Sequence, residues 1–229
     1  MRFDVMAKYA VYFEHGVIYT VLLSIFAVLF GLILALLLAL MRLSKNRILR
    51  GVSGAYIEIM RGTPMLVQLY FIYYVVFTTV LTAPKFTLFG FIDGSRFIPG
   101  VVAMSLNSAA YVAEIIRAGI QGIDYGQTEA ARSLGMSQFQ NMRFIVLPQA
   151  IKNILPAIAN ELVTIIKESS ICSVLGMQDI MFNAKLVQGA SFLPAEPLII
   201  AAALYFLLTF PTSKLIQHFE RRMRRGDVR

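Results

Sequence analysis

The hydrophobic positions of this chain fall into five long apolar runs, separated by shorter polar segments. A helix needs about 20 predominantly apolar residues to cross the hydrocarbon core of a bilayer. The runs therefore predict an all-α integral membrane protein, a single transmembrane domain over residues 1–229 with five transmembrane helices. The predicted spans cover about residues 17–40, 54–81, 97–120, 156–176 and 198–216.

Polar residues interrupt the second and fourth runs. The sequence Gly-Thr-Pro at residues 62–64 breaks the second run, and such breaks free backbone carbonyls, as in the discontinuous helices around transporter sites. The fourth run contains ANELVTIIKESSI, in which Glu161, Lys167 and Glu168 fall within eight positions. A charged residue in hydrocarbon costs about 2.5–3.5 kcal/mol on insertion scales, so these charges indicate a functional or structural role.

The chain begins with MRFDVMAKYAVYFEHG, which combines acidic residues with an aromatic, amphipathic pattern. This segment contains no small-residue site of the kind at which signal peptides are cleaved. The pattern predicts a short N-terminal helix lying at the membrane interface rather than a signal peptide.

The composition supports a membrane protein and argues against other classes. The chain is 58% hydrophobic and 15% charged, whereas soluble domains contain about 25% charged residues. The net charge of +8 does not indicate nucleic acid, because no hydrophilic segment is long enough to bind it and basic residues in membrane proteins usually report orientation. One cysteine, two histidines and no CxxC or HExxH spacing argue against structural zinc or haem.

Lysines and arginines are distributed unequally between the two sides of the predicted topology. The side with the long 121–152 loop and the C-terminus has 14 of them, against five on the other side, without Arg61 and Lys167, which fall within spans. Basic residues concentrate in cytoplasmic loops, so we expect the N-terminus outside and the C-terminus in the cytoplasm. The C-terminal ERRMRRGDVR indicates a topology anchor, with lipid or nucleic acid as alternative partners.

The cytoplasmic loop, about residues 121–152, has the sequence of a short helix rather than of a disordered linker. Good helix formers lie on both sides of Gly135, which predicts two helical halves joined by a glycine bend. Thr128 is a candidate N-cap of the first half. The amphipathic pattern alone allows two interpretations, a helix held by a partner protein and a helix packed on the bilayer surface.

The spacing within this loop resembles a known motif. The triplet EAA at residues 129–131 is followed after three residues by Gly135, and after nine more by IVLP at 145–148. This spacing matches EAA-x3-G-x9-I-x-LP and is similar to the EAA loop of permease subunits in binding-protein-dependent ABC importers. Other segments resemble the polar amino-acid branch of that family, namely RGTPMLVQL, LNSAAYVAEIIRAGI, GQTEAARSLG and LPQA.

The resemblance implies a type I ABC importer fold in the bacterial inner membrane and a set of partners. Two permease subunits pair as a homo- or heterodimer, each docks an ATP-binding cassette subunit in the cytoplasm, and an extracytoplasmic solute-binding protein delivers the amino acid. The chain has no GxxxxGK(S/T) sequence to cradle nucleotide phosphates. ATP and Mg²⁺ are therefore expected in the partner subunit, and this chain is expected to bind no cofactor and to be no enzyme.

In the family the short EAA helix sits in a groove of the ATPase subunit, so the resemblance assigns coupling roles to four residues. Glu129 would pair with a basic group on that subunit, and Ala130 and Ala131 would allow close approach. Gly135 would form a turn that Cβ sterics disfavour. The alternative for Gly135 is a role in ending a helix only.

Polar residues within the predicted spans are candidates for binding the substrate. Asn160, Glu161 and Thr164 lie on adjoining faces of the fourth span. Asn107 on the third span and Gln68 on the second each add an amide. An amino acid presents an ammonium and a carboxylate, which carboxylates, amides and hydroxyls would match. Hydrogen bonds between helices, worth about 0.6 kcal/mol each, are the alternative role for the amides and Thr164.

The other charges within the spans are interpreted as structural. Lys167 and Glu168 are expected to form an ion pair or to mark the end of the regular helix. Glu114 and Arg117 stand at positions i and i+3 near the cytoplasmic end of the third span. This spacing predicts a salt bridge on one helix face rather than a pair of substrate ligands.

The sequence therefore predicts the membrane-spanning permease subunit of an ATP-driven amino-acid importer. Two acids against one lysine in the fourth span favour a cationic amino acid, with a polar neutral one such as glutamine as the alternative. An ion-coupled secondary transporter of small polar solutes is the rival, although such proteins usually show more spans and internal repeats. A membrane enzyme would need converging nucleophiles, bases or metal ligands, which the spacing does not provide.

Overall fold

The described part of the chain, residues 2–224 of a computed structural model, is built from ten α-helices. These are α1 (Phe3–Met6), α2 (Ala10–Leu43), α3 (Arg47–Gly62), α4 (Met65–Tyr70), α5 (Gly94–Gln121), α6 (Tyr125–Ser133), α7 (Gln138–Asn141), α8 (Leu147–Glu168), α9 (Ile180–Ser191) and α10 (Glu196–Arg224). Helical segments of other pitch cover Ala7–Tyr9, Phe71–Val80, Met142–Val146 and Ser169–Leu175. Arg225 and Arg229 of the predicted basic tail lie outside the described residues.

The fold is all-α, as predicted, with one small hairpin among the described residues. β1 (Thr87–Leu88) pairs in antiparallel fashion with β2 (Ile92–Asp93). Gly90 in the connecting turn has a φ of 76°. The hairpin leads directly into α5, and the side chain of Asp93 caps the first turn of that helix.

The second predicted span is not one straight helix. Helix α3 and the segment Met65–Val80 are bent by 108° relative to each other. The bend coincides with the Gly-Thr-Pro sequence, because Pro64 has no N–H to donate and disfavours helical backbone at Thr63. Among the described residues, three helices (α2 with the turns before it, α5 and α10) are long and apolar enough to cross a bilayer, and the bent pair would make a fourth. Helix α8 is not one of them, so the five-span arrangement stays a prediction.

The N-terminal segment differs from the expected separate interfacial helix. Helix α1 is a single turn, Phe3–Met6, and α2 already begins at Ala10. The backbone N–H of Arg2 donates to Oε1 of Glu196 at 2.8 Å, which ties the start of the chain to the first turn of α10. Met6 is buried in a cluster with residues of α9 and α10. Phe3 and Tyr12 nevertheless remain 44% and 42% exposed, so the interfacial location of this segment stays a prediction.

Helices α2 and α5 form the central packing of the molecule. Ala27, Gly31 and Ala35 recur every four residues along α2, and all three are buried. A Cβ on Gly31 would lie 3.2 Å from the backbone oxygen of Ser105 and 3.2 Å from Cβ of Ser108, closer than side chains ordinarily approach. Small residues at this spacing let membrane helices pack closely. Helix α5 is thereby held in the middle of the fold, where it also contacts α3, α4 and α8.

Helix α8 carries the fourth apolar run but begins earlier than the hydrophobic pattern predicts. It starts at Leu147 and continues through Pro156. Pro148 lies in the first turn, where a missing N–H is tolerated. The α-helix ends at Glu168 and gives way to tighter 3₁₀ turns up to Leu175. The loss of regular helix that the sequence predicts near Glu168 is confirmed.

Candidate functional site

The loop with the EAA spacing folds as two short helices joined by a turn, which we call the coupling segment (Tyr125–Asn141). Helix α6 begins after Asp124, whose carboxylate accepts the N–H of Gly126 at 2.9 Å. The prediction that Thr128 caps this helix is wrong. Thr128 lies inside α6, and its hydroxyl accepts a hydrogen bond from Nδ2 of Asn141 at 3.2 Å. The threonine therefore links the two helices of the segment.

Gly135 forms the turn between α6 and α7. Its φ of 82° lies in the left-handed region, where a residue with a Cβ is strained. Its N–H donates to the backbone oxygen of Arg132 at 3.0 Å. After the turn, Ser137 and Gln140 form a reciprocal capping box that starts α7. The predicted glycine bend between two helical halves is confirmed.

Most of α6 is exposed, and we call one part of this surface the docking face. It is formed by Tyr125, Glu129, Ala130 and Leu134. Tyr125 and Glu129 are four residues apart, as are Ala130 and Leu134, so each pair lies along one row of the helix surface. Leu134 is 84% exposed and Tyr125 71% exposed, whereas Ala131 is only 4% exposed. Phe139 on α7 adds a further exposed ring at 70%. An apolar surface of this kind usually marks an interaction site.

Gln68 and Asn107 meet inside the protein. They are only 7% and 6% exposed, and Nδ2 of Asn107 donates to Oε1 of Gln68 at 2.9 Å. Nε2 of Gln68 donates to the backbone oxygens of Met60 at 2.7 Å and Thr63 at 3.1 Å. The pair thereby fastens the bend between α3 and α4 to α5. The amide of Gln68 is fully engaged within the fold.

Glu161 approaches α5 from another direction. Its carboxylate faces the hydroxyl of Ser108 without reaching ordinary hydrogen-bond geometry, and it interacts electrostatically with Glu168. Ser108 follows Asn107 by one residue, so it points about 100° away around the helix. Its side chain is 1% exposed and lies against Gly31 of α2. Glu161 therefore brings a carboxylate to the junction of α2, α5 and α8.

Asn160 and Thr164 lie one turn apart on α8. The hydroxyl of Thr164 donates to the backbone oxygen of Asn160 at 3.3 Å, so it is partly engaged within its own helix. Asn160 is exposed and Thr164 half-buried. The five predicted substrate residues thus form two groups in the described structure, Gln68 with Asn107 beside the bend, and the three residues on α8.

The predicted salt bridge on α5 is confirmed. Nε of Arg117 donates to Oε2 of Glu114 at 2.9 Å, and a second contact joins the same two side chains. Lys167 is exposed and Glu168 half-buried in the last turn of α8. Within residues 2–224 no group of histidine, cysteine, aspartate and glutamate side chains comes together in the manner of a metal site.

The family of the protein follows from comparison of the chain as a whole. A profile of the family described as "Binding-protein-dependent transport system inner membrane component" matches residues 13–225. The chain belongs to this family. Membership confirms the resemblance based on the EAA spacing, and it makes this permease a transporter component rather than an enzyme, because ATP hydrolysis belongs to a separate subunit. The implied location is the inner membrane.

The permease is also similar to curated proteins and to a solved structure. The putative glutamine transport system permease protein GlnP of Rickettsia bellii is 40% identical over 224 residues, which cover 96% of this chain and 98% of that protein. The arginine transport system permease protein ArtQ of Bacillus subtilis is 43% identical over 189 residues, 82% of this chain and 81% of that protein. A crystal structure of an amino acid ABC transporter with histidines matches with a TM-score of 0.88 and 45% identity, over 97% of this permease and 99% of that chain.

The sequence did not lead us to predict the roles of two residues at these sites, Asp124 and Ser108. Asp124 is the N-cap of the coupling helix in place of Thr128, and a signal for it existed, because aspartate is a favoured N-cap and helix formers follow it. Ser108 faces Glu161 across two helices. No local pattern announces that contact, since it depends on how α5 and α8 pack.

Proposed function

We propose that this permease subunit imports amino acids, supplying the translocation path while a separate ATPase subunit hydrolyses ATP. The similar proteins GlnP and ArtQ are named as transport proteins for glutamine and arginine. The similar solved structure, at 45% identity, is an amino acid ABC transporter. Family membership disfavours the rival interpretation, an ion-coupled secondary transporter, because the family is binding-protein-dependent.

The docking face is the observation that carries the coupling part of this proposal. Its apolar side chains, with Leu134 84% exposed, would be covered by a docked ATPase subunit. Glu129 stands among them, where it can meet a basic group of that subunit. A bilayer surface suits this face less well, because a carboxylate among apolar groups is unfavourable near hydrocarbon. Gly135 would fix the angle at which α6 enters the groove of the partner.

We propose three partners and one orientation. A second permease subunit, either another copy or a related chain, would pair with this one, and an extracytoplasmic binding protein would deliver the amino acid. The ATPase subunit would lie on the cytoplasmic side. Arg42 at the end of α2, Arg117 near the end of α5 and Arg132 in α6 all belong to the end of the molecule that carries the coupling segment. The positive-inside rule supports a cytoplasmic location for that end, with the N-terminus outside.

For the substrate we propose a cationic or polar amino acid that contacts α8. Glu161 would attract the cationic group, because the described contacts give its carboxylate a hydroxyl and another acid but no cation. Thr164 and the exposed Asn160 would add polar contacts, and a second permease subunit would complete the pocket. Gln68 and Asn107 are already hydrogen-bonded to each other, so we propose that they support the wall of this pocket and do not contact the substrate.

Uptake by the reconstituted complex tests the proposal. Proteoliposomes containing the permease dimer and the ATPase subunit, supplied with the binding protein, are expected to accumulate radiolabelled arginine or glutamine only when ATP is inside. Glu161→Gln removes the charge while keeping the shape. We expect it to lower arginine uptake about ten-fold more than glutamine uptake, the effect of losing one charged contact.

The matched control is Glu58→Gln, which removes an exposed carboxylate of α3 and is expected to leave both rates unchanged. Amino-acid uptake that an ion gradient drives without ATP would contradict the proposed function. Equal losses for arginine and glutamine in Glu161→Gln would contradict the role of Glu161 while leaving the import function standing.

A further inference from the structure

Two phenylalanines stand at exposed turns where the backbone is strained. Phe89 has a φ of 53° and Phe192 a φ of 54°, and among the described residues other than glycine they alone have a positive φ. This conformation is unfavourable for a bulky residue. Phe89 is 67% exposed, and Phe192, at 90%, is the most exposed large hydrophobic residue of the described chain. Strain of this kind clusters at functional positions.

Both turns lie at the end of the molecule opposite the coupling segment, which we call the outer end. The β-hairpin with Phe89 leads into α5, whose 28 residues separate it from the coupling segment by about 42 Å. Phe91 of the hairpin stacks on His15 of α2, with 3.9 Å between the ring centroids. Helix α9, which ends just before Phe192, packs on Phe13 of α2. The two turns therefore contact different sides of the same part of α2.

The fold fixes both turns, so the rings are positioned before any partner binds. Ile92 of the hairpin is fully buried, and the N–H of Gly94 donates to the backbone oxygen of Phe86 at 2.8 Å. At the other turn, Nε2 of Gln188 donates to the backbone oxygen of Pro194 at 2.8 Å. A surface that is ordered in advance loses little conformational entropy on binding.

The charges around the rings argue against a location in hydrocarbon. Lys85, Asp93 and Arg96 beside the hairpin are all exposed. Lys185, two turns of α9 before Phe192, is exposed as well. Charged groups are costly in hydrocarbon, so both turns extend into water. Apolar groups that remain exposed to water beside polar ones usually mark a surface that binds another protein.

We propose that Phe89 and Phe192, the outer anchors, are the residues by which the extracytoplasmic binding protein attaches to this permease. The inference rests on the proposed function, which gives the coupling segment to the ATPase subunit and thereby leaves the outer end to the binding protein. The family is described as binding-protein-dependent. Aromatic rings are enriched in the buried centres of protein interfaces, and the binding protein would offer an apolar pocket to each ring.

Arginine uptake by the proteoliposomes, measured at increasing concentrations of the binding protein that supports uptake by the wild type, tests the proposal. Phe89→Asn and Phe192→Asn remove the rings but suit the turns, because asparagine adopts the left-handed conformation readily. We expect each variant to raise the half-maximal concentration of binding protein about ten-fold. The maximal rate is expected to stay constant, and thermal stability in detergent to stay equal or rise.

The matched control is Phe219→Asn. This ring is 52% exposed and lies near the end of α10 that is remote from the outer anchors. We expect the wild-type half-maximal concentration in this variant, because the loss of an exposed ring elsewhere does not affect the outer end.

A variant that adds bulk provides an independent measurement. Gly189 is exposed in the last turn of α9, three residues before Phe192, and a Cβ there would meet nothing within 4 Å among the described residues. Gly189→Trp is therefore expected to fold normally but to obstruct the binding protein, with a rise of about ten-fold or more in its half-maximal concentration. Gly51→Trp, at an equally open position of α3, is the control and is expected to behave as the wild type.

Photocrosslinking distinguishes the binding protein from lipid as the neighbour of the ring. With p-benzoylphenylalanine in place of Phe192, irradiation of proteoliposomes with saturating binding protein is expected to join the two proteins. The same replacement of Phe219 is expected to give no such product. Attachment of the probe at position 192 to lipid alone would overturn the proposal.

Unchanged half-maximal concentrations in Phe89→Asn, Phe192→Asn and Gly189→Trp would also overturn the outer anchors. So would a lower maximal rate at an unchanged half-maximal concentration, since the defect would then lie after attachment. Either result would leave the import function standing, because the wild type still takes up arginine. A wild-type complex without ATP-dependent uptake at any concentration of binding protein would instead remove the proposed function, and the outer anchors with it.

Discussion

The coupling segment and the polar residues between the long helices use hydrogen bonds in opposite ways. In the coupling segment, Asp124 and Ser137 accept hydrogen bonds from the N–H groups at the helix ends. The side chains of the docking face are therefore not needed for hydrogen bonds within the chain. In the membrane region, Gln68 and Asn107 use their own side chains on each other and on the bend. The docking face is free to contact a partner, whereas Gln68 and Asn107 are already hydrogen-bonded within the chain.

This difference separates polar residues that are paired within the chain from those that are free to bind a ligand or a subunit, and residue type alone does not. Asn107 and Asn160 are both asparagines in predicted spans, but Asn107 is 6% exposed and bonded, while Asn160 is exposed. A buried polar group that is fully paired holds helices together, because separating it from its partner leaves an unsatisfied group behind. A polar group without such a partner remains able to meet a ligand or another subunit.

The largest expected effect comes from Gly135→Asp, which changes the turn of the coupling segment. Gly135 has a φ of 82°, a conformation in which a residue with a Cβ is strained, although aspartate less than most. We expect ATP-dependent uptake to fall to background, because the turn that orients α6 is lost, while the subunit still inserts in the membrane. Glu129→Arg is expected to have the same result, because it reverses the charge offered to the ATPase subunit.

Gly51→Asp is the matched control for the turn, since Gly51 lies in α3 and a Cβ there would meet nothing within 4 Å. We expect Gly51→Asp to transport at the rate of the wild type when the two proteins are compared at equal amounts in the membrane. Wild-type transport by both Gly135→Asp and Glu129→Arg would show that the docking face does not couple the two subunits.

A smaller effect is expected when the hydrogen bond between Gln68 and Asn107 is removed. Gln68→Leu and Asn107→Leu each leave one buried amide without its partner, which costs about 1–3 kcal/mol. The double variant is expected to lose less than the sum of the two, by about 0.5 kcal/mol or more. Thermal unfolding in detergent measures the losses, and the KM for uptake is expected to stay constant. Additive losses would show that the two amides do not depend on each other, and a KM that rises in all three variants would move this pair into the substrate pocket.

The link inside the coupling segment is expected to be weaker still. Thr128→Val removes the acceptor of the 3.2 Å hydrogen bond from Asn141, an interaction worth about 1 kcal/mol. We expect faster hydrogen exchange at the amides of α7 and more ATP hydrolysed per molecule imported. Thr128→Ser keeps the hydroxyl and serves as the control. Unchanged exchange in Thr128→Val would mean that α6 and α7 hold their arrangement without this bond.

The smallest effect is expected from Glu114→Gln, which weakens a pair that lies near the C-terminal end of α5. The two side chains are 24% and 29% exposed, and pairs at this spacing contribute about 0.2–0.5 kcal/mol. We expect only a slight shift in thermal unfolding and normal uptake. A loss of transport in Glu114→Gln would show that the pair belongs to the path rather than to the scaffold.

Local patterns predicted the features that depend on neighbours in the sequence. The apolar runs located the long helices, because burial in lipid requires continuous hydrophobic length. The bend at Gly135 followed from glycine between two helical halves, and the Glu114–Arg117 pair followed from their i, i+3 spacing. Each of these rests on interactions within one or two helical turns, which the chain order itself specifies.

Features that depend on packing were not predictable in this way. The first residues looked like an interfacial helix, because an amphipathic pattern is the same whether lipid or protein covers its apolar face. Helices α9 and α10 cover part of this face here, at Met6 and Phe13. The Gly-Thr-Pro break was visible in the sequence, but its 108° angle was not, since Asn107, far along the chain, holds the bend through Gln68.

The docking face also has a consequence for the life of the protein in the cell. A newly made copy presents Leu134 and Tyr125, 84% and 71% exposed, to the surrounding water. Chaperones and proteases act on proteins that expose groups normally covered. A bound ATPase subunit would cover them, so assembly would protect the permease from degradation. We therefore expect the cellular amount of this protein to follow the supply of its ATPase partner, even when its own synthesis is constant.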